Sequence, residues 1–522
     1  MKSIFKGISI IFILISFVTY GQETSLEIID VSENSLKFNW ENKQDIILEY
    51  GLTKELELGK VYRNEIDNLK DATFYFVRAI SEANNKTSDI KLYSTKSRSS
   101  GNITVYFNQW VDNNASSITD AIHVTAFEDT IIAYINRSEN TLDICNYNTG
   151  SLPIVNAINA AESRAVIIRY IAADNTGTNN NELGNLSATI PMIQRPDDGE
   201  VMHNKFIIID SANPTISKVL TGSTNHTDNS CHQDFNNMVI VEDQSLALAY
   251  KLEFEEMWGS TTNTPNLTNA KFGNAKTDNT PHSFSIGGKN VELYFSPSDG
   301  TTAHIESTIL TANTDMQFAM LTFTNNDLGD AVISIHNSGV DVKGIIENVV
   351  YFGSEYSGLQ SAGVDVHSHF TTLYFLHHKY GIIDANNTSS DPVVITGSHN
   401  WTNSAEDDYD ENTLIIHDAV IANMYYEEFM ARYAEMTGSF AIEKENFSIQ
   451  ISPNPTTGIV IIKNKELKIK NVEVFDIYGK EVLKTEVGSQ KIEVDLSSQP
   501  KGLYIIKVST DKGMGFCKLV LE

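Results

Sequence analysis

Between residues 23 and 96 apolar and polar positions alternate in short runs, SLKFNW, DIILEYG and TFYFVRAI, separated by polar turns. Alternation at period two marks strands that bury one face, and several such strands at close spacing predict an all-β sandwich over 22–96. From about Gly101 to Met436 β-branched strands alternate with helical segments such as SLPIVNAINAAESRA and QSLALAYKLEFEEMWG, which predicts a layered α/β domain over 101–437. This region repeats itself. TVYFNQWVDN near Tyr106 returns as ELYFSPSDG near Tyr294, each followed by the same order of strands, so two similar halves are expected, about 101–260 and 288–437. KSRSSG, Lys96 to Gly101, reads as a linker. Beyond Ser448 short alternating strands resume in ISPNPTTGIVIIKN, VEVFDIYGKEV, KIEVDLSS and GLYIIKVST, predicting a second small β domain over 448–522.

The N-terminal stretch places Lys2 and Lys6 ahead of an apolar run from Ile8 to Val18, closing on small residues near Gly21. This is the pattern of a cleavable signal peptide over 1–21; the run falls short of the ~20 residues a membrane span needs. No other segment is apolar enough to cross a bilayer, so a chain outside the cytoplasm with no permanent membrane span is expected. Three cysteines, Cys145, Cys231 and Cys517, are too few for a disulfide framework. A bridge between Cys145 and Cys231 stays open, and no cysteine spacing suggests zinc. The formal net charge is −29, which repels nucleic acid and anionic lipid surfaces at long range and argues against tight non-specific DNA binding.

The chemistry is carried by a duplicated motif. VMHNKFIIID places His203 and Lys205 on one face of a strand entry, while Asp210, an odd step away, falls on the other face and suits a structural carboxylate. The chain returns as KVLTGSTNHT, where Gly222 permits close approach and Ser223 and Asn225 offer a hydroxyl and an amide to a bound oxyanion. LHHKYGIID and VVITGSHNWT repeat the set as His377, Lys379, Asp384, Gly397, Ser398 and Asn400. One His-x-Lys means nothing; two complete His-x-Lys-x4-Asp motifs, each followed by Gly-Ser-x-Asn, are specific. They supply what phosphodiester cleavage without a metal or cofactor needs: an imidazole to attack phosphorus, a second to protonate the leaving oxygen, and ammonium and amide groups to neutralise the phosphoryl oxygens. His378 and His399 read as pocket-wall or solvated residues, Met257 and Trp258 as core, and Trp401 equally as packing or as a cleft wall.

With these residues the middle region resembles the phospholipase D superfamily. The resemblance implies two α/β/α sandwich halves related by a pseudo-twofold axis, with the two motifs meeting at their interface. It also implies an acidic residue hydrogen-bonded to each catalytic histidine, and the halves differ there: Glu411 in YDENTLII stands where FNNMVIV has Asn236. With Glu411 paired to His377, that ring is expected to start protonated as the general acid and His203 to start neutral as the nucleophile, Asp234 being able to serve the first half instead. The catalytic set expected is therefore His203, Lys205, Asp210, His377, Lys379, Asp384 and Glu411, and the phosphate-binding set Ser223, Asn225, Ser398 and Asn400. The resemblance implies a phosphodiester substrate, a phospholipid cleaved to phosphatidate and head group being favoured, with a secreted nuclease or a non-enzymatic surface binding protein as alternatives.

The first β domain, with Trp40, Tyr50, Leu69, Tyr75 and Arg78 and its close at Thr95, resembles a fibronectin type III domain, although an unrelated small sandwich would share the pattern. The last, in its PNP start, DIYGK turn, GLYIIKV strand and terminal KLVLE, is similar to the C-terminal sorting domain of the type IX secretion system of Bacteroidetes, which implies that machinery as a partner. A terminal sandwich of the adhesive kind has the same periodicity.

Overall fold

The computed structural model describes residues 26–40, 46–81, 86–174, 180–196, 199–369, 374–387, 389–437, 449–464, 468–476, 481–510 and 513–521. The signal peptide and the DIYGK turn beyond Asp476 lie outside them.

The duplicated texture folds as a duplicated sheet. In the first half the strands run in the order Met192–Pro196, Ile167–Asp174, Thr141–Asn146, Lys205–Ile209, Lys218–Gly222, Asn237–Val241, Ile103–Phe107, Ile122–His123. In the second the order Asp365–Ser368, Asp341–Ile346, Asp315–Met320, Lys379–Ile383, Val393–Gly397, Tyr409–His417, Lys289–Ser296, Ser283–Ile286 matches it over the first seven strands; the last differs, since Ile122–His123 follows its neighbour and pairs parallel while Ser283–Ile286 precedes its neighbour and pairs antiparallel. The central strands of both sheets are buried throughout and rich in Ile and Val, as strands covered on both faces must be.

Helices cover the outer faces. Phe127–Ile135 and Leu152–Ser163 share an outer core with the first sheet, and Thr301–Ile309 and Asn326–Asn337 share one with the second. A third core lies between the halves, built from the inner faces of both sheets and the helices Gln244–Trp258 and Ala419–Thr437. The first of these starts where Asp243 accepts from Leu246 N and ends at Gly259 in the left-handed region; Met257 and Trp258 are core, as read from the sequence. Cys145 and Cys231 are free and buried in different cores on opposite faces of the first sheet, which answers the open question of a bridge.

Residues 26–94 form a three-stranded and a four-stranded antiparallel sheet around one core that includes Trp40, Leu69 and Tyr75. Residues 449–521 likewise form three- and four-stranded sheets around one core. The stretch read as a linker is docked. Ser97 donates to Asp243 (2.5 Å), Ser99 accepts from Gln244 N (3.0 Å), and Ser245 donates to the Thr95 carbonyl (2.9 Å). Its serines cap the neighbouring helix start instead of idling in solvent, a use that composition alone does not distinguish from a flexible tether. Among the described residues no helix is long and apolar enough to cross a membrane.

Candidate active site

The two motifs meet because each is delivered by a short extended segment that pairs with the other half. Val201–Met202 run parallel to Tyr409–Asp410, and His203 N donates to the Asp410 carbonyl (3.0 Å). Leu376 bridges Phe235 in parallel, and His377 N donates to the Phe235 carbonyl (2.9 Å). The residue after each of these acceptors thereby falls beside the opposite histidine. Glu411 Oε1 lies 2.7 Å from His203 Nδ1, and Asn236 Oδ1 lies 2.9 Å from His377 Nδ1. The expected pairing of Glu411 with His377 is therefore corrected: the partners cross between halves, and the carboxylate belongs to His203. Asp234 does not replace it, since its carboxylate accepts from Phe375 N (3.2 Å).

The tautomers follow from the partners. Asn236 Nδ2 donates to the Ser230 and Asp234 carbonyls, so its oxygen is the acceptor turned to His377, and Nδ1 of His377 carries the proton. Against a carboxylate, Nδ1 of His203 is the donor as well. Both rings thus keep Nε2 for chemistry. Each lysine folds back on its own motif, Lys205 Nζ to the His203 carbonyl (2.6 Å) and Lys379 Nζ to the His377 carbonyl (2.8 Å), fixing His and Lys on one face.

The mates of this constellation that sequence reasoning passed over lie beneath it, at the interface of the halves. Asn412 donates to Asn204 (2.8 Å) and accepts from Thr221 (2.7 Å) and Tyr250 (3.1 Å). Asn237 repeats this with His378 (3.2 Å), Thr396 (3.1 Å) and Tyr425 (3.2 Å). A fully buried, paired amide at each site penalises any slip of one sheet against the other, because a displaced amide would be left without partners. His378 occupies the position of Asn204 and is a buried interface residue held by Glu428 (3.0 Å), not a pocket wall. Tyr147, edge-on to His203 at 4.7 Å with Lys205 over its ring at 5.1 Å, is a further wall of the site that carries no motif.

Four other expectations are revised. Asp210 and Asp384, placed in the catalytic set, are anchors, as the parity of Asp210 along its strand already indicates. Asp210 accepts from the backbone N–H of Glu139, Asn140 and Thr141 at 2.6 to 2.8 Å, and Asp384 from those of Asn313, Thr314 and Asp315 at 2.8 to 3.2 Å, both with φ near +50°. Ser223 and Ser398 are fully buried and engaged: Ser223 Oγ donates to Asn236 Oδ1 (2.8 Å) and accepts from Asn237 N (3.1 Å), while Ser398 Oγ accepts from Asn412 N (3.0 Å). They hold the histidines' partners and the sheet, with no capacity turned to a phosphate. Asn225 and Asn400 keep a side-chain oxygen without a partner. Trp401 packs on Phe323 (5.0 Å) and Phe318 (5.9 Å) in the outer core of the second half, and His399 is buried 3.7 Å from Glu406.

Burial and mutual repulsion set the charges. Both histidines are held well below the usual imidazole range, first by burial and then by the two lysines. Burial lowers Lys205 to about 8 and Lys379 well below the ordinary lysine range, while it lifts Glu411 to about 7. An anionic phosphoryl group entering among them relieves the repulsion, so the site is poised for one. Two measurements follow. Inhibition by inorganic phosphate is expected to weaken as pH rises through about 8, where Lys205 gives up its proton; a Ki flat to pH ~10 would mark solvated lysines instead. Asp210→Ala is expected to cost about 2–4 kcal/mol in denaturant unfolding through three orphaned N–H groups, with kcat per folded molecule unchanged.

Residues 131–258 and 305–433 match the family model described as cardiolipin synthase, PLD-like domain, one match in each half. The middle of this chain is a phospholipase D-like domain in two halves, and residues 450–522 match the secretion system C-terminal sorting domain. That terminal domain is a type IX sorting signal, which directs the chain out of the cell and to its surface.

Among relatives, the mitochondrial cardiolipin hydrolase of Xenopus tropicalis is 36% identical over 143 residues, 26% of this chain and 65% of that protein, so the chain spans somewhat less than two thirds of the relative's length. Among solved structures, the phospholipase D family member Nuc of Salmonella typhimurium is 26% identical, covering 28% of this chain and 94% of its own at a TM-score of 0.24. Phosphatidylserine synthase of Haemophilus influenzae is 12% identical, covering 65% and 87% at a TM-score of 0.44.

Proposed function

We propose that the chain is a secreted phosphodiesterase that hydrolyses phospholipids to phosphatidate and a free head group through a phosphohistidine on His203. The observation that carries this reading is the crossed pairing, in which two His–Lys sets share one site and only His203 has a carboxylate behind it. Attack by Nε2 of His203 forms an N–P bond and leaves the ring fully positive for the lifetime of the adduct; Glu411 neutralises that charge. The P–O bond to the head group breaks, and His377, which takes up a proton on Nε2 once the bound phosphate anion offsets the two lysines, donates it to the departing oxygen. His377 has only an amide oxygen behind it, so its imidazolium is the less stabilised of the two and the better acid. Water then attacks phosphorus, His377 takes its proton, and the P–N bond breaks to release phosphatidate. Lys205 and Lys379 neutralise the phosphoryl oxygens in both steps.

A phospholipid is favoured over nucleic acid because a chain of net charge −29 repels a polyanion, whereas a zwitterionic lipid presents a single phosphate. The purified chain is expected to cleave phosphatidylcholine in the presence of EDTA and to leave single- and double-stranded DNA intact. Cleavage of DNA in preference to lipid would make it a nuclease; abolition by EDTA with rescue only by a divalent cation would refute the proposed chemistry.

A further inference from the structure

At the end of the second sheet that carries His377, the strand Asp341–Ile346 runs out into Glu347–Glu355, a stretch with an unusual surface. Its base is rigid. Glu347 is buried and its carboxylate accepts from Leu376 N (2.8 Å), one residue before His377, and from His369 (2.7 Å). Asn348 N donates to the Leu321 carbonyl (3.0 Å) and its side chain to Thr322 (2.8 Å), while Leu321 N in turn donates to the His378 carbonyl (2.8 Å). The far side is pinned by Glu355 N on the Phe323 carbonyl (3.0 Å). Between these posts a turn closes from Ser354 N to the Tyr351 carbonyl (3.0 Å), with Gly353 at φ +78°. The turn lifts three apolar residues into solvent: Val350 is 70% exposed, Tyr351 55% and Phe352 104%. Phe375, two residues before His377, is 58% exposed as well.

Isolated exposed apolar residues need no explanation, but three in a row at the tip of a braced turn do, because folding gains nothing from them there. We propose that Val350–Phe352 is a docking tip that enters the interface of a zwitterionic phospholipid surface and holds it against the mouth of the site. The inference rests on the lipid reading of that site. Three observations choose this occupant. The tip is apolar with an aromatic pair, the composition that favours the level between head groups and acyl chains. Residues 347–355 contain no lysine or arginine, so the tip lacks the cations that a nucleic-acid backbone or an anionic lipid surface calls for. Its base is hydrogen-bonded to the residue preceding His377, which ties the tip to the segment that delivers the catalytic histidine.

The test compares the full-length chain with its Tyr351→Ser/Phe352→Ser variant in three arms: co-sedimentation with phosphatidylcholine vesicles, hydrolysis of those vesicles, and hydrolysis of soluble bis(p-nitrophenyl) phosphate. Removing two interfacial aromatics is expected to weaken vesicle binding and vesicle hydrolysis by roughly ten- to a hundred-fold, with soluble hydrolysis within about two-fold of the parent. Unchanged vesicle binding, or an equal loss on the soluble substrate, overturns the proposal. So does a loss confined to single-stranded DNA hydrolysis, which would assign the aromatics to base stacking. Because co-sedimentation needs no turnover, a chain that binds vesicles through the tip yet cleaves no phosphodiester would uphold the docking surface and refute the activity.

Discussion

His203→Ala and His377→Ala are each expected to lower turnover of a natural phosphodiester by at least about a thousand-fold while the chain stays folded. The size of the effect follows from the division of labour across one site. Without His203 no N–P bond forms, and without His377 the leaving oxygen departs as an unprotonated alkoxide. Neither ring stands in for the other, because each Nδ1 is committed to a partner on the opposite half, His203 to Glu411 and His377 to Asn236. The fold survives because the interface is held by Asn237 and Asn412 beneath the rings, not by the rings themselves. His203→Ala does leave Glu411 buried without its mate, but burial already lifts that carboxyl to about 7, so it takes up a proton near neutrality instead of standing as an unpaired charge. Turnover and thermal unfolding measured together check both halves of this statement. Either variant retaining more than about a tenth of parental turnover would rule out a single two-histidine site.

The duplication was legible because it is written twice. Strand-sized runs around His203 and His377 and the recurrence of TVYFNQW as ELYFSPS predict two matching halves, and the strand orders agree over seven strands, all but the edge strand beside Ile103–Phe107 and Lys289–Ser296. Asp210 was readable as structural from parity alone: an odd step along a strand turns it from the site, and it is found on three backbone N–H groups. What the linear repeat hides is which half serves which. Glu411 follows the second motif in sequence, so linear order pairs it with the second histidine; the parallel pairing of Val201–Met202 with Tyr409–Asp410 exists only once the halves are assembled. The same blindness hid the roles of Ser223 and Ser398, whose hydroxyls look free in a Gly-Ser turn and are in fact satisfied by the neighbouring strand. His378 and Trp401 were ambiguous for a related reason, since a motif neighbour faces the cleft or the core according to packing that no local pattern records.

The crossed pairing makes the two histidines separable by experiment. An ester whose leaving group departs without a proton, such as a p-nitrophenyl phosphodiester, is expected to restore adduct formation to His377→Ala, and turnover only in part, but to restore neither to His203→Ala, because the first variant keeps the nucleophile and the substrate no longer needs the acid. In His377→Ala the adduct should accumulate, since the same ring activates the water that resolves it, and mass spectrometry of acid-labile phosphohistidine peptides should place it on His203. Glu411→Gln then distinguishes the observed pairing from the one the sequence suggested. Its carboxylate favours the protonated form of His203, and that ring must be neutral to attack. Removing the carboxylate leaves burial and two lysines to depress the ring further, so the acidic limb of kcat/KM should move to lower pH. The rate at the plateau should fall as well, because the positive charge of the phosphohistidine is no longer neutralised. Had Glu411 faced His377, the same substitution would instead draw the alkaline limb downward, by weakening the hold on the acid's proton. An alkaline shift with the acidic limb unmoved, or an adduct on His377, would exchange the two roles.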